Sequence, residues 1–209
     1  MTLPILYSFR RCPYAMRARL AIASAGITCE LREIVLRDKA PEFLTASPKG
    51  TVPVVVTGGT VLEESLDVMH WALGENDPEG WLNVPQEAHS LIAEADGPFK
   101  SALDRTKYAT RYKDADPSVE REKASAFLRK LDMMLVEQLY LFGESPSIAD
   151  MAIAPFVRQF ANIDKDWFDA QPWPDLIGWL ERFLSSERFA AIMKKNPKWQ
   201  AGDHVVLFP

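Results

Sequence analysis

Leu3-Pro4-Ile5-Leu6-Tyr7-Ser8-Phe9-Arg10-Arg11-Cys12-Pro13-Tyr14-Ala15 takes a short apolar strand into the start of a helix. The strand is read over residues 3–7, and the helix over 13–25 before Gly26. Cys12 then stands at or next to the helix N-cap, with Pro13 at the first helical position, where a missing N–H costs nothing. Free amides and the positive end of the helix dipole favour an anion there. Thiolates in such settings have pKa values lowered from ~8.5 to between ~3.5 and 7.5. Arg10, Arg11 and Arg17 add positive charge to the same stretch. A free cysteine taken at random is more often a small buried apolar residue. Here the strand-to-helix corner, the proline and the arginines together predict a reactive thiol. A thioredoxin-type site has a second cysteine where Ala15 stands. The chemistry predicted is therefore monothiol, and an oxidised Cys12 is released by a small thiol from solution.

Composition narrows the setting. The chain has 209 residues, 47% apolar and 25% charged, enough for one large or two small soluble cores. A formal net charge of −5 argues against a nucleic-acid or anionic-membrane partner. No basic, apolar leader is read at the N-terminus, and no apolar run approaches a membrane span. Two cysteines do not make a disulfide framework, which points to a reducing cytoplasm. Cys29 falls in a strand read over 28–35 and is assigned to packing. His70, His89 and His204 have no metal-ligand spacing, and no Gly-rich phosphate loop is present, so no metal is expected.

The two halves differ in texture. The first strand and helix lead through Gly26 into the 28–35 strand, a parallel pair joined by a helix. Residues 41–46 read as a short helix. Val54-Val55-Val56-Thr57-Gly58-Gly59-Thr60-Val61-Leu62 reads as a tight hairpin, because a Gly-Gly pair supplies positive φ angles. A helix over 65–73 follows, ending at Gly74. The order βαβ-ββα is a thioredoxin-like arrangement, assigned to residues 1–76. Asn76, Asp77, Pro78 and Gly80 mark a linker over 77–84. Residues 85–209 read as all-helical, with segments over 85–112 and 117–138 and another opened by Pro174. Ser147-Ile148-Ala149-Asp150 puts a serine three residues before a carboxylate, a reciprocal cap with a structural role. The tail after Pro197, with Trp199 and Phe208, is apolar enough to dock.

These residues resemble the glutathione transferase superfamily over nearly the whole chain. The first half carries Tyr7-Ser8-Phe9-Arg10-Arg11-Cys12-Pro13-Tyr14-Ala15, Val52-Pro53-Val54 and Glu64-Ser65 in the family's order and spacing. The second carries Gly143 and then Ser147-Ile148-Ala149-Asp150, similar to the cap of the family's helical domain. Cys12-Pro13 resembles the cysteine-type, omega-like classes, whose chemistry is nearer to glutaredoxins than to conjugating enzymes.

The resemblance implies glutathione as co-substrate, a small electrophilic or disulfide second substrate, and a homodimer. It implies a cis peptide before Pro53, turning the Val52 main chain toward the cysteinyl N–H and C=O of glutathione. Ser65 and the free amides beside it would accept the γ-glutamyl carboxylate, with Glu64 facing the ammonium or a peptide N–H. Lys39 matches the lysine aimed at the glycyl carboxylate, but the extra Ala40 leaves Arg37 as a second candidate. Phe9, Arg10, Tyr108, Arg111 and Tyr112 are assigned to the co-substrate pocket. Tyr7 and Ser8 are the hydroxyls that a conjugating transferase would use on the thiolate. Strand alternation turns Tyr7 away, Ser8 lies well ahead of the cap, and Cys12 is preferred. The leading function is a thiol transferase or reductase, including dehydroascorbate-type activity, working through a Cys12–glutathione mixed disulfide. Conjugation to electrophiles and a non-enzymatic regulatory binding role are the alternatives.

Overall fold

In the computed structural model, which describes residues 2–209, β1 (Ile5–Ser8) leads into α1 (Pro13–Ala25) and back to β2 (Cys29–Glu33). β1 and β2 are parallel, with Ile5 opposite Glu30 and Ser8 opposite Glu33. After α2 (Pro41–Ala46), β3 (Val54–Thr57) runs antiparallel to β1 and turns into β4 (Thr60–Leu62). Gly58 and Gly59 make that turn at φ of 53° and 85°, a conformation that a side chain would disfavour. α3 (Ser65–Glu75) completes the expected βαβ-ββα order and runs past Gly74.

α1 is buried along most of its length, including Arg17 and Arg19. It packs between α3 and α10 (Glu187–Ile192). Two buried guanidiniums are costly unless bonded. Arg19 is satisfied by an ion pair with Glu33, by Ser8 Oγ at 2.8 Å and by the carbonyl of Ile192 at 2.8 Å.

The chain forms two compact units, one of residues up to Gly80 with Ser185–Pro209, the other of Trp81–Leu184. The sequence reading assigns all of 85–209 to one helical domain; the structure groups the tail with the sheet. The tail docks as expected, but through the main chain as well as through apolar side chains. Trp199 N–H donates to the Glu33 carbonyl at 2.9 Å, and Leu31 N–H to that of Val206 at 2.8 Å. β5 (Leu207–Phe208) then adds to β2, giving the strand order β4-β3-β1-β2-β5. Buried Trp199 and Phe208 give the tail an apolar reason to stay.

The second unit is helical. The segment expected to be continuous over 85–112 is α4 (Gln86–Glu94), a π turn at Ala95–Phe99, α5 (Lys100–Lys107) and a short 3-10 turn at Ala109–Arg111. Pro98 lies inside the π turn; it has no N–H to give the regular ladder, and the register widens there. α6 (Pro117–Met134) stops short of the expected 138. α7 (Ile148–Ala161), α8 (Lys165–Asp169) and α9 (Pro174–Ser185) complete the unit. α7 begins with the capping box read in the sequence: Ser147 N–H and Oγ both donate to Asp150, at 2.9 and 2.7 Å. No helix among the described residues is long and apolar enough to cross a membrane.

Candidate functional site

β1 ends at Ser8, and the next residues tighten into a turn in which Cys12 N–H donates to the Phe9 carbonyl at 2.9 Å. The Cys12 carbonyl then takes the first helical bond, from Met16 N–H at 2.9 Å. Cys12 is thus the N-cap of α1, in extended backbone with Pro13 after it. Its side chain makes no capping bond. Sγ is left half-buried and faces the Val52 carbonyl oxygen at 3.8 Å.

Val52 belongs to the opposite wall. The Val52–Pro53 peptide is cis, as the resemblance implies, and Pro53 leads directly into β3. Val52, Tyr7, Ala15, Phe43 and Trp199 share one apolar cluster, with Phe9 and Cys12 packed against it. The sulfur therefore sits where an apolar floor meets a main-chain edge.

The two hydroxyls that compete with Cys12 point elsewhere. Tyr7 is buried, its ring against Phe43 and Trp199, and its oxygen accepts from Arg32 at 2.7 Å. Ser8 is fully buried, and its oxygen accepts from Arg19. The Ser8 hydroxyl is held by a fully buried guanidinium and the Tyr7 hydroxyl by a half-buried one.

The expected cluster of arginines is divided. Arg10 donates from its side chain to the Met193 carbonyl at 3.2 Å and from its amide to Glu33 at 2.7 Å. Arg11 lies over the Phe9 ring at 5.3 Å. Arg17 is fully buried and donates to Ser65 Oγ at 3.4 Å. The Arg17–Ser65 and Arg19–Glu33 links are the part that the sequence reading missed. Their signal was available: two arginines in an otherwise apolar helix require buried partners.

The other candidate residues take distinct places. Ser65 is the buried first residue of α3, and Glu64 is its N-cap. The exposed Glu64 carboxylate is paired with Lys49 on the loop before Val52. Such exposed pairs are weak and readily exchanged. Lys39 lies along the same loop: a side chain added at Gly50 would meet its Nζ at 3.0 Å. Arg37 is exposed. In the second unit, Tyr108 follows α5, and its ring carries Arg111 at 4.4 Å and Lys107 at 5.4 Å. Tyr112 carries Arg105 at 5.0 Å. No group of residues suited to a metal ion occurs among the described residues.

The two thiols differ in environment. Cys29 is fully buried in β2, and burial pushes its thiol up to about 11. Its neutral form favours the fold below the unfolded thiol pKa of ~8.5, and that contribution is lost as pH rises toward the folded value. Iodoacetamide at pH 8 is expected to label Cys12 and to leave Cys29 unmodified until the chain is denatured. Peptide mass mapping reads this directly; rapid native labelling of Cys29 would contradict the buried environment.

The family model Glutathione S-transferase, N-terminal domain, matches residues 6–81, and Glutathione S-transferase, C-terminal domain, matches 92–182. Glutathione S-transferase DHAR3, chloroplastic, of Arabidopsis thaliana is 25% identical over 181 residues, which are 85% of this chain and 67% of that protein. Maleylacetoacetate isomerase of Rattus norvegicus is 28% identical over 202 residues, 89% of this chain and 90% of that protein. Among solved structures, a glutathione transferase family member from Pseudomonas fluorescens pf-5, with two glutathione bound, superposes with a TM-score of 0.78. That match covers 91% of this chain and 92% of the other at 18% identity, a likeness of fold.

Proposed function

This chain belongs to the glutathione S-transferase family, and on that premise we propose that it is a glutathione-dependent thiol transferase with Cys12 as nucleophile. One observation carries the choice of Cys12. Its sulfur is partly open and 3.8 Å from the Val52 carbonyl, while the buried Tyr7 and Ser8 side chains have their hydroxyls bonded to half-buried Arg32 and buried Arg19. A conjugating mechanism that relies on either hydroxyl would first have to break those bonds.

The chemistry proceeds in two exchanges. The Cys12 thiolate attacks the glutathionyl sulfur of a mixed disulfide; the S–S bond breaks, and the substrate leaves as a thiolate that takes a proton from water. Cys12 now carries glutathione through a new disulfide. A glutathione thiolate attacks the glutathionyl sulfur of that bond, forming glutathione disulfide and restoring the Cys12 thiolate. The Val52 main chain pairs with the cysteinyl part of the tripeptide, and Ser65 with the α3 amides takes the γ-glutamyl carboxylate. The γ-glutamyl ammonium exchanges with Lys49 on Glu64, and Lys39 takes the glycyl carboxylate. The enzyme works as a homodimer in a reducing cytoplasm, where free glutathione turns it over.

The test sets a glutathionylated disulfide against an electrophilic aromatic halide, both at saturating glutathione. The disulfide is expected to have the higher kcat/KM by about two orders of magnitude, equivalent to about 2.7 kcal/mol of transition-state binding. The reverse preference would assign the chain to conjugation.

A further inference from the structure

Glu33 is a buried carboxylate that the mechanism has not used. It is the last residue of β2, opposite Ser8, where β1 gives way to the turn that carries Cys12. Its Oε2 pairs with Arg19, and its Oε1 accepts the main-chain N–H of Arg10 at 2.7 Å. The second bond is the informative one. The Arg10 N–H and the Phe9 carbonyl belong to one peptide group, which is planar, so fixing the direction of the N–H fixes the direction of the carbonyl. That carbonyl is the acceptor of Cys12 N–H, at 2.9 Å. Glu33 therefore sets the plane to which the Cys12 amide is bonded. A charged acceptor on the N–H also polarises the peptide group and strengthens its carbonyl as an acceptor. The end of α10 and the tail hold this arrangement in place. The Glu33 carbonyl accepts Trp199 N–H at 2.9 Å. The Ile192 carbonyl takes Arg19 at 2.8 Å, and the Met193 carbonyl takes the Arg10 side chain at 3.2 Å.

We propose that Glu33 is a positioning residue that acts through the Phe9–Arg10 peptide to aim the Cys12 sulfur for in-line attack on a disulfide. This rests on Cys12 being the nucleophile. Disulfide exchange needs the attacking sulfur aligned with the bond that it breaks, and a misplacement of about 1 Å can cost about a hundredfold in rate. Alkylation by a small unbound reagent needs only an accessible thiolate.

The test uses Glu33→Gln and Glu33→Met, each in an Arg19→Met background so that no buried guanidinium loses its counter-ion. Both side chains are neutral and similar in size, but only glutamine has an oxygen for the Arg10 N–H. Two rates are read by intact mass. In the first, Cys12 attacks a sulfur of glutathione disulfide; the S–S bond breaks, a glutathione thiolate leaves, and Cys12 keeps a glutathionyl group. In the second, iodoacetamide alkylates Cys12. Glutathionylation is expected to be about thirtyfold slower with methionine than with glutamine, and alkylation to agree within about threefold. Both rates falling alike would assign Glu33 to thiol reactivity or to folding in general, and overturns the proposal. A glutathionylation difference below about threefold also overturns it, while leaving Cys12 as nucleophile. If wild type takes up no glutathionyl group at Cys12, the thiol-transfer reading fails and the proposal falls with it. Should a double variant not fold, Glu33→Asp supplies the test. It keeps a charge that the flexible Arg19 side chain can follow, whereas the amide on the turn cannot. Glutathionylation should then fall about tenfold and alkylation less than about threefold. An unchanged glutathionylation rate overturns the proposal.

Discussion

Cys12→Ser is expected to reduce glutathione-dependent disulfide reduction to the uncatalysed rate, a fall of at least about a thousandfold given usual enzymatic accelerations. The reason is the atom, not the geometry. Serine fits the same N-cap and leaves Pro13 and the Val52 wall in place. Its oxygen stays protonated at neutral pH and cannot form the disulfide on which the second exchange depends. Cys29 offers no detour, because it is fully buried and its thiol is pushed up to about 11. Intact-mass measurement after exposure to glutathione disulfide gives a second readout. Wild type should gain a single glutathionyl group, removable by glutathione, and Cys12→Ser should gain none. A serine variant that keeps its disulfide reductase rate would end the thiol-transfer proposal. Loss of that rate with aryl-halide conjugation retained would show that the thiol and the glutathione cradle are separable.

How much of this was legible in the sequence depends on the distance over which each signal acts. The Cys12 corner was readable because strand, turn and N-terminal proline are all set within a few residues. The hairpin at Gly58-Gly59 and the cap at Ser147–Asp150 are local in the same sense, and the structure has both. Boundaries were less legible: the helical pattern over 85–112 gave no sign of how the chain would accommodate Pro98. Long-range closure was least legible. Nothing near Leu207 says that it will pair with Glu30, and a tail at the end of a helical stretch reads as part of it. At the site, the motif spacing suggested residues but not what stands behind them. The Arg17–Ser65 contact joins positions 48 apart, and the Lys49–Glu64 pair crosses from one loop to a helix cap. The same limit applies to Tyr7 and Ser8. Alternation suggested that Tyr7 turns away, but only packing shows that Arg32 and Arg19 hold both hydroxyls.

Asp150→Ala is expected to be the most destabilising single change in the helical unit. The side chain is fully buried and accepts four hydrogen bonds. Oδ1 takes Leu141 N–H and the Trp179 indole N–H, each at 2.9 Å, and Oδ2 takes Ser147 N–H and Oγ at 2.9 and 2.7 Å. One carboxyl thus fixes the loop before α7, the start of α7 and the face of α9. Alanine would leave these buried donors without their acceptor, a loss of about 3–5 kcal/mol. Asparagine keeps one acceptor oxygen but turns an NH2 toward other donors, so it should recover only part. Urea titration followed by tryptophan fluorescence reads both variants, since Trp179 is itself a partner. The pH dependence has a definite sign. Burial pushes the Asp150 carboxyl up, and the four donors pull it down without overcoming burial. A carboxyl raised in the folded state contributes most below its unfolded value of ~3.9, and the contribution is lost as pH rises through the folded value. Asp150→Asn does not titrate at this position, so its stability relative to wild type should improve as pH rises above ~4. An alanine variant within about 1 kcal/mol of wild type would mean that water or a shifted loop replaces the carboxyl, and that the cap does not hold α7 in place.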